Sequence, residues 1–175
     1  MPGQDVAEIN DYKNYYNVKS HAYGSNEIYH NDEDYNYFLS LLNKFIINNN
    51  SVDLSAYCLK PDYFDLLLFQ ISKDGILKLM HNIVSSYNQY YYEKYNIEDI
   101  LSESNYRVSI VPESDLLKTS RNIHLQSDGW IDYPYSSIRA YLYDDTPDWL
   151  NKTHLSDKYV TTLKYFDFLG DTSNN

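Results

Sequence analysis

The chain has 175 residues with 25 acidic against 14 basic side chains, a formal net charge of −11 and one cysteine. That length suits one domain around one core; the charge disfavours ordinary electrostatic binding of polyanions; and Cys58, alone in an apolar run, excludes an internal disulfide and reads as a buried, idle thiol in a reducing, cytoplasmic setting. No stretch approaches a membrane span and Met1 to Asn10 has no signal-peptide core, so a soluble protein is expected.

In chain order, residues 1–11 read as a tail. The alternation in "YKNYYNVKSHAY" predicts a first strand from Tyr12 to Tyr23, broken by Gly24, Ser25 and Asn26. Asn31 or Asp32 is placed to cap a helix whose apolar positions, Phe38, Leu41, Leu42, Phe45 and Ile46, recur at helical spacing and which closes at the asparagines 48–50. Val52 to Leu59 and Tyr63 to Ile71 predict two strands around the turn at Pro61 and Asp62, the second apolar enough for a central place in a sheet. Asp74 and Gly75 start a helix through Ile76, Leu79, Met80, Ile83, Val84 and Tyr87 to about Tyr95.

"YRVSIV", residues 106–111, is a fourth strand, and Pro112 stands where a helix can begin, with Leu116, Leu117, Ser120 and Ile123 inward. From Tyr133 the chain is turn-rich and then helical from about Ser156 to Phe168, a helical extension (133–170) of the same domain as residues 12–132, with 171–175 frayed. Strand, helix, strand, strand, helix, strand, helix predicts an α+β, ferredoxin-like fold, with an antiparallel sheet of four to five strands packed with helices.

Tyr63 and Asp65 stand two apart on a strand, so their side chains leave one face and could converge on a metal ion or a phosphate. The 21 tyrosines, with frequent asparagine, are explained by an A/T-rich genome as readily as by chemistry. There is no Gly-rich phosphate loop, no paired-cysteine metal site and no internal repeat. Candidate basic contacts are few and scattered: Lys60, Lys73, Lys78, Arg107, Arg121 and Arg139.

Several phrases, in order over roughly residues 12 to 155, resemble the REP-associated branch of the single-tyrosine HUH transposases. "YNVKSHAYGSNEIYHNDEDYNYFL" resembles that branch's opening strand, turn and acidic helix start, and "SAYCLKPDYFDLLL" its metal-binding hairpin. "SRNIHLQ" resembles its nucleophile helix, and "DYPYSSIRAYL" with "TPDWL" its C-terminal signature. The resemblance implies an HUH-transposase fold whose chemistry needs two histidines holding a divalent metal such as Mg²⁺ or Mn²⁺, an attacking tyrosine, and a polar residue one helical turn beyond it.

The positions that match are Tyr63 and Asp65 for the histidines, Asn122 for the tyrosine and Gln126 for the accessory group. A neutral phenol is a poor ligand, one carboxylate supplies too few oxygens, and an amide cannot form the covalent intermediate. No catalytic residue, metal or cofactor is therefore expected. His81, His124 and the tyrosines 87 and 90–92 are expected to be packing, capping, core-edge or surface groups rather than a relocated site. "IEDILSESNYR", with Glu98, Asp99 and Glu103, and "SDGW" stand where the family carries basic or apolar residues, which weakens a grip on phosphate.

The expected function is that of an inactive transposase relative kept for binding or regulation. The charge favours a protein partner over nucleic acid, for instance a nucleic-acid enzyme such as a CRISPR nuclease inhibited by an acidic surface. The alternatives are a regulator that binds a single-stranded or hairpin DNA or RNA without cleavage, through Arg107, Arg121 or Arg139, and an active transposase with an unconventional site. No membrane is implied, and the oligomeric state is left open.

Overall fold

The computed structural model describes residues 11–24, 26–143, 145–156 and 162–170. Four strands form one antiparallel sheet in the order β2-β3-β1-β4: β1 (Tyr15–His21), β2 (Val52–Lys60), β3 (Tyr63–Gln70) and β4 (Tyr106–Val111). Between β1 and β2 runs helix α1 (Asp32–Asn49), and between β3 and β4 runs α2 (Gly75–Tyr95). This is the ferredoxin-like α+β arrangement that the element order implies.

Each helix begins where its chemistry allows. Asn31 caps α1, its side chain accepting from the Glu33 and Asp34 backbone amides, while the Asp34 carboxylate accepts from the Asn31 amide in return. Asp74 does not cap α2; the buried Gln70 side chain at the end of β3 does, its Oε1 accepting from Ile76 N at 2.9 Å. Gly75 is required there, because a Cβ would stand 2.5 Å from the Ser51 carbonyl oxygen.

The two sheet faces have different neighbours. Phe64 points to α1, its ring 5.1 Å from Phe38, and Tyr29, Phe38 and Tyr87 continue this aromatic core. Asp65, one residue on, points to the opposite face, against α3 (Leu116–His124), which follows a 3₁₀ turn at Glu113–Asp115. Three short helices, α4 (Ile138–Leu142), α5 (Thr153–Ser156) and α6 (Thr162–Gly170), complete the described chain.

The extension also closes one edge of the sheet. Leu59 N donates to Tyr135 O at 2.9 Å, Ser137 N to Tyr57 O at 3.0 Å and Asn151 N to Leu54 O at 2.8 Å, so Tyr135, Ser137 and Asn151 satisfy three outer backbone groups of β2. Ile138, Tyr141, Leu155, Tyr165 and Leu169 join the same buried core as the sheet.

Several boundaries differ from expectation. Strand β1 is shorter than Tyr12 to Tyr23, because Lys13 sits at φ 66°, off the extended conformation, and Gly24 turns the other end. Ile71 lies outside β3. Of the helix expected over 156–168, residues 157–161 lie outside the described chain, as do the tails 1–10 and 171–175. Tyr87 and Tyr91 are fully buried, so these two belong to the core and not to its edge; Tyr92 is exposed.

Candidate functional site

Register builds the site. Lys19 on β1 stands opposite Asp65 on β3 and Arg107 on β4, and His21 stands opposite Tyr63. The α3-facing side of the sheet therefore carries Tyr63, Asp65, Asn17, Lys19, His21 and Arg107 side by side. With Asp115, Thr119, Asn122 and Gln126 from the α3 region, part of this row lines a cleft of about 390 Å³.

The fold thus gathers the residues singled out in the sequence. Asp65 is only 4% exposed. Asn17 Nδ2 donates to its Oδ1 at 2.5 Å, Gln126 Nε2 donates to its Oδ2 at 2.5 Å, and the Lys19 ammonium lies 3.6 Å from Oδ2. The same ammonium sits 4.5 Å from the centre of the Tyr63 ring. Burial, then the neighbouring Cys58 and Asp65, push the Tyr63 phenol up to about 12, so it stays neutral. Asn122 is exposed at the cleft, its amide at the position that the resemblance assigns to the attacking tyrosine.

The sequence resemblance implies a divalent metal here, and these residues do not fit one. Of the two carboxylates that line the cleft, Asp65 is already met by two amide N–H groups and an ammonium, each presenting positive charge where a cation would sit, and no third acidic, histidine or cysteine ligand joins Asp65 and Asp115 in a metal-holding group among the described residues. Gln126 Oε1 is buried without a hydrogen-bond partner among the described residues, but one amide oxygen and one occupied carboxylate are not a coordination shell.

The other candidates are placed elsewhere. His124 is fully buried; its Nδ1 meets Tyr165 Oη at 2.5 Å and its Nε2 meets Ser137 Oγ at 2.7 Å, and burial holds it down to about 3, hence neutral. It pins α3 to α4 and α6. His81 is not packed: it is exposed and paired with Glu103 at 2.7 Å.

The tyrosines of α2 lie across the sheet from the cleft and bond locally. Tyr87 donates to Ile28 O at 2.7 Å, Tyr91 to Glu27 O at 2.9 Å and Tyr90 to the buried Asp34 at 2.8 Å. None can reach a phosphate lying in the cleft.

Of the three arginines, Arg121 is a correction. It is 7% exposed and its Nε and Nη2 donate to the carbonyls of Phe168 and Leu169 at 3.1 and 3.3 Å, closing the C-terminus of α6 instead of facing a ligand. Arg139 is exposed over the Tyr143 ring and does not line the cleft. Arg107 alone is exposed on the cleft side, beside Lys19. Cys58 is buried, with its thiol pushed up to about 12 by desolvation, which leaves it unreactive.

Lys19 and Asn17 were invisible to sequence reasoning. Only the pairing of β1 with β3 brings them to Asp65, and an alternating "NVK" carries no mark of its partner strand.

No protein-family profile and no curated protein matches the chain. Among solved structures, a REP-associated tyrosine transposase bound to a REP hairpin is similar with a TM-score of 0.64 and 11% identity, over 86% of this chain and 92% of that one. A bacterial tRNA(His) guanylyltransferase (Thg1)-like protein in complex with GTP follows with a TM-score of 0.42 and 12% identity, over 62% and 59%. The chain therefore has the α+β fold of the HUH transposases, a sheet of four antiparallel strands packed with helices. At 11% identity the likeness concerns the fold and not the residues in the cleft.

Proposed function

We propose that the protein is a catalytically inactive relative of the single-tyrosine transposases that acts by binding, through a protein partner. One observation carries the loss of chemistry: the Asp65 carboxylate is taken up by Asn17, Gln126 and Lys19, at a cleft where Asn122 offers no nucleophile. A net charge of −11 supports a basic protein partner over a polynucleotide. An enzyme with a basic nucleic-acid channel, such as a CRISPR nuclease, is the concrete form we favour, with the acidic protein as its inhibitor.

The test is affinity capture from the native host, before and after nuclease treatment, with retained protein and nucleic acid both identified. The reading expects one stoichiometric protein that survives the treatment and whose activity on nucleic acid falls when the purified chain is added. Retention of nucleic acid alone contradicts it.

One feature favours a second reading, a hairpin-binding regulator without cleavage. Arg107 is exposed on the cleft side next to Lys19, the only place where two of the chain's bases stand opposite one another across paired strands among the described residues. That reading expects hairpin DNA or RNA to bind with a steep salt dependence that Arg107→Ala reduces.

A further inference from the structure

Three sequence positions correspond to the groups that would surround a metal, and all three meet a single side chain or its partner. The Lys19 ammonium is 3.6 Å from Asp65 Oδ2 and 4.5 Å from the Tyr63 ring centre, while Gln126 donates to that same Oδ2 at 2.5 Å. Lys19 reaches them from β1 through the strand register, its side chain 37% exposed and that of Asp65 6%. A carboxylate so enclosed needs a compensating positive charge, since leaving a buried charge unpaired is costly.

We propose that Lys19 is a built-in substitute for the divalent metal, a tethered cation that neutralises Asp65, covers Tyr63 and holds the sheet in register with the Gln126 end of α3. The inference rests on the inactive reading and adds a mechanism to it: the site excludes metal ions because a cation of its own occupies their place. Its consequence is exchange. Removing the ammonium frees one side of Asp65 Oδ2, and turning over the Gln126 amide, whose Nε2 now meets that oxygen, would aim Oε1, a buried oxygen with no hydrogen-bond partner among the described residues, at the same point and give a small hard cation two oxygens to bind weakly.

The experiment uses the full chain and Mn²⁺ as the probe, read by electron paramagnetic resonance of free Mn²⁺ and by thermal midpoints in Mn²⁺ and in EDTA. Wild type is expected to leave all Mn²⁺ free and to melt at one temperature in both buffers. Lys19→Met should melt about 2 to 6 °C lower in EDTA, recover part of that loss in Mn²⁺, and hold Mn²⁺ weakly. Lys19→Arg, which keeps the charge, should resemble wild type, and Lys19→Met with Asp65→Asn should regain stability and lose the Mn²⁺ response. If Lys19→Met does not fold, Lys19→Gln, which keeps a donor without the charge, carries the same comparison.

A charge-removing variant that melts like wild type, or that loses stability with no response to Mn²⁺, overturns the role of Lys19 and leaves the inactive reading standing. Stoichiometric Mn²⁺ binding by wild type overturns the inactive reading itself.

Discussion

His124 sets a pH dependence whose size follows from its surroundings. The imidazole is fully buried between Tyr165 and Ser137, and desolvation lowers it to about 3, against about 6.5 in an unfolded chain. Below about pH 6.5 the unfolded chain takes up a proton that the folded protein refuses, so stability is complete above 6.5 and is lost as pH falls toward 3. Each pH unit in that window removes about 1.4 kcal/mol, so about 2 kcal/mol is gone at pH 5.

Urea unfolding of wild type and His124→Gln at pH 7, 6 and 5 measures this. The amide keeps some of the hydrogen bonding and cannot titrate. The variant starts less stable at pH 7, and the gap narrows by about 2 kcal/mol at pH 5 because only wild type carries the histidine's share of the loss. Other groups titrate alike in both proteins, so they cancel in the difference. Parallel pH profiles would refute the reasoning and place a charged or solvated imidazole at the junction of α3, α4 and α6.

Asp34 is fully buried; burial alone would raise its carboxyl, but donors from Lys94, Tyr95, Tyr90 and the His30 amide outweigh that and lower it. Asp34→Ala removes the buried acceptor shared by Tyr90, Tyr95, Lys94 and the His30 amide, while Lys94 keeps its ion pair with Glu33, and should cost about 1 to 3 kcal/mol, read by chemical denaturation, and the wild-type contribution should vanish only below about pH 4, as the depressed carboxyl is titrated. Gly75→Ala, whose Cβ would meet the Ser51 carbonyl at 2.5 Å, should lose about 1 to 3 kcal/mol in the same assay. The triple variant Tyr63→His, Asp65→His and Asn122→Tyr should gain Mn²⁺ affinity by calorimetry only when Lys19→Met is added, and should still nick hairpin DNA poorly because the surface charge is unchanged.

The order of elements was legible because each strand or helix carries its own period. "YFDLLLF" had to be a central strand, since an apolar run on both faces needs cover on both, and β3 has it. The ends were less so: Lys13 leaves the extended region with nothing in "YKNYY" to announce it. At the site, Tyr63 and Asp65 could be paired from the chain because their spacing is local, whereas Asn122 and Gln126 could be reached only through the resemblance of "SRNIHLQ" to a nucleophile helix. Lys19 could not, because its meeting with Asp65 is set by two strands 46 residues apart in sequence. Arg121 reads as a surface base, yet a helix end 47 residues later claims it.

The central proposal is that this chain, with the fold of the HUH transposases, does not break or join DNA. Purified protein incubated with Mn²⁺ and a hairpin-bearing single-stranded oligonucleotide, then weighed by intact-mass spectrometry under denaturing conditions, tests it most directly. The account predicts the mass of the free chain alone and an uncut oligonucleotide; a protein–oligonucleotide adduct, abolished by substituting one tyrosine, would contradict it.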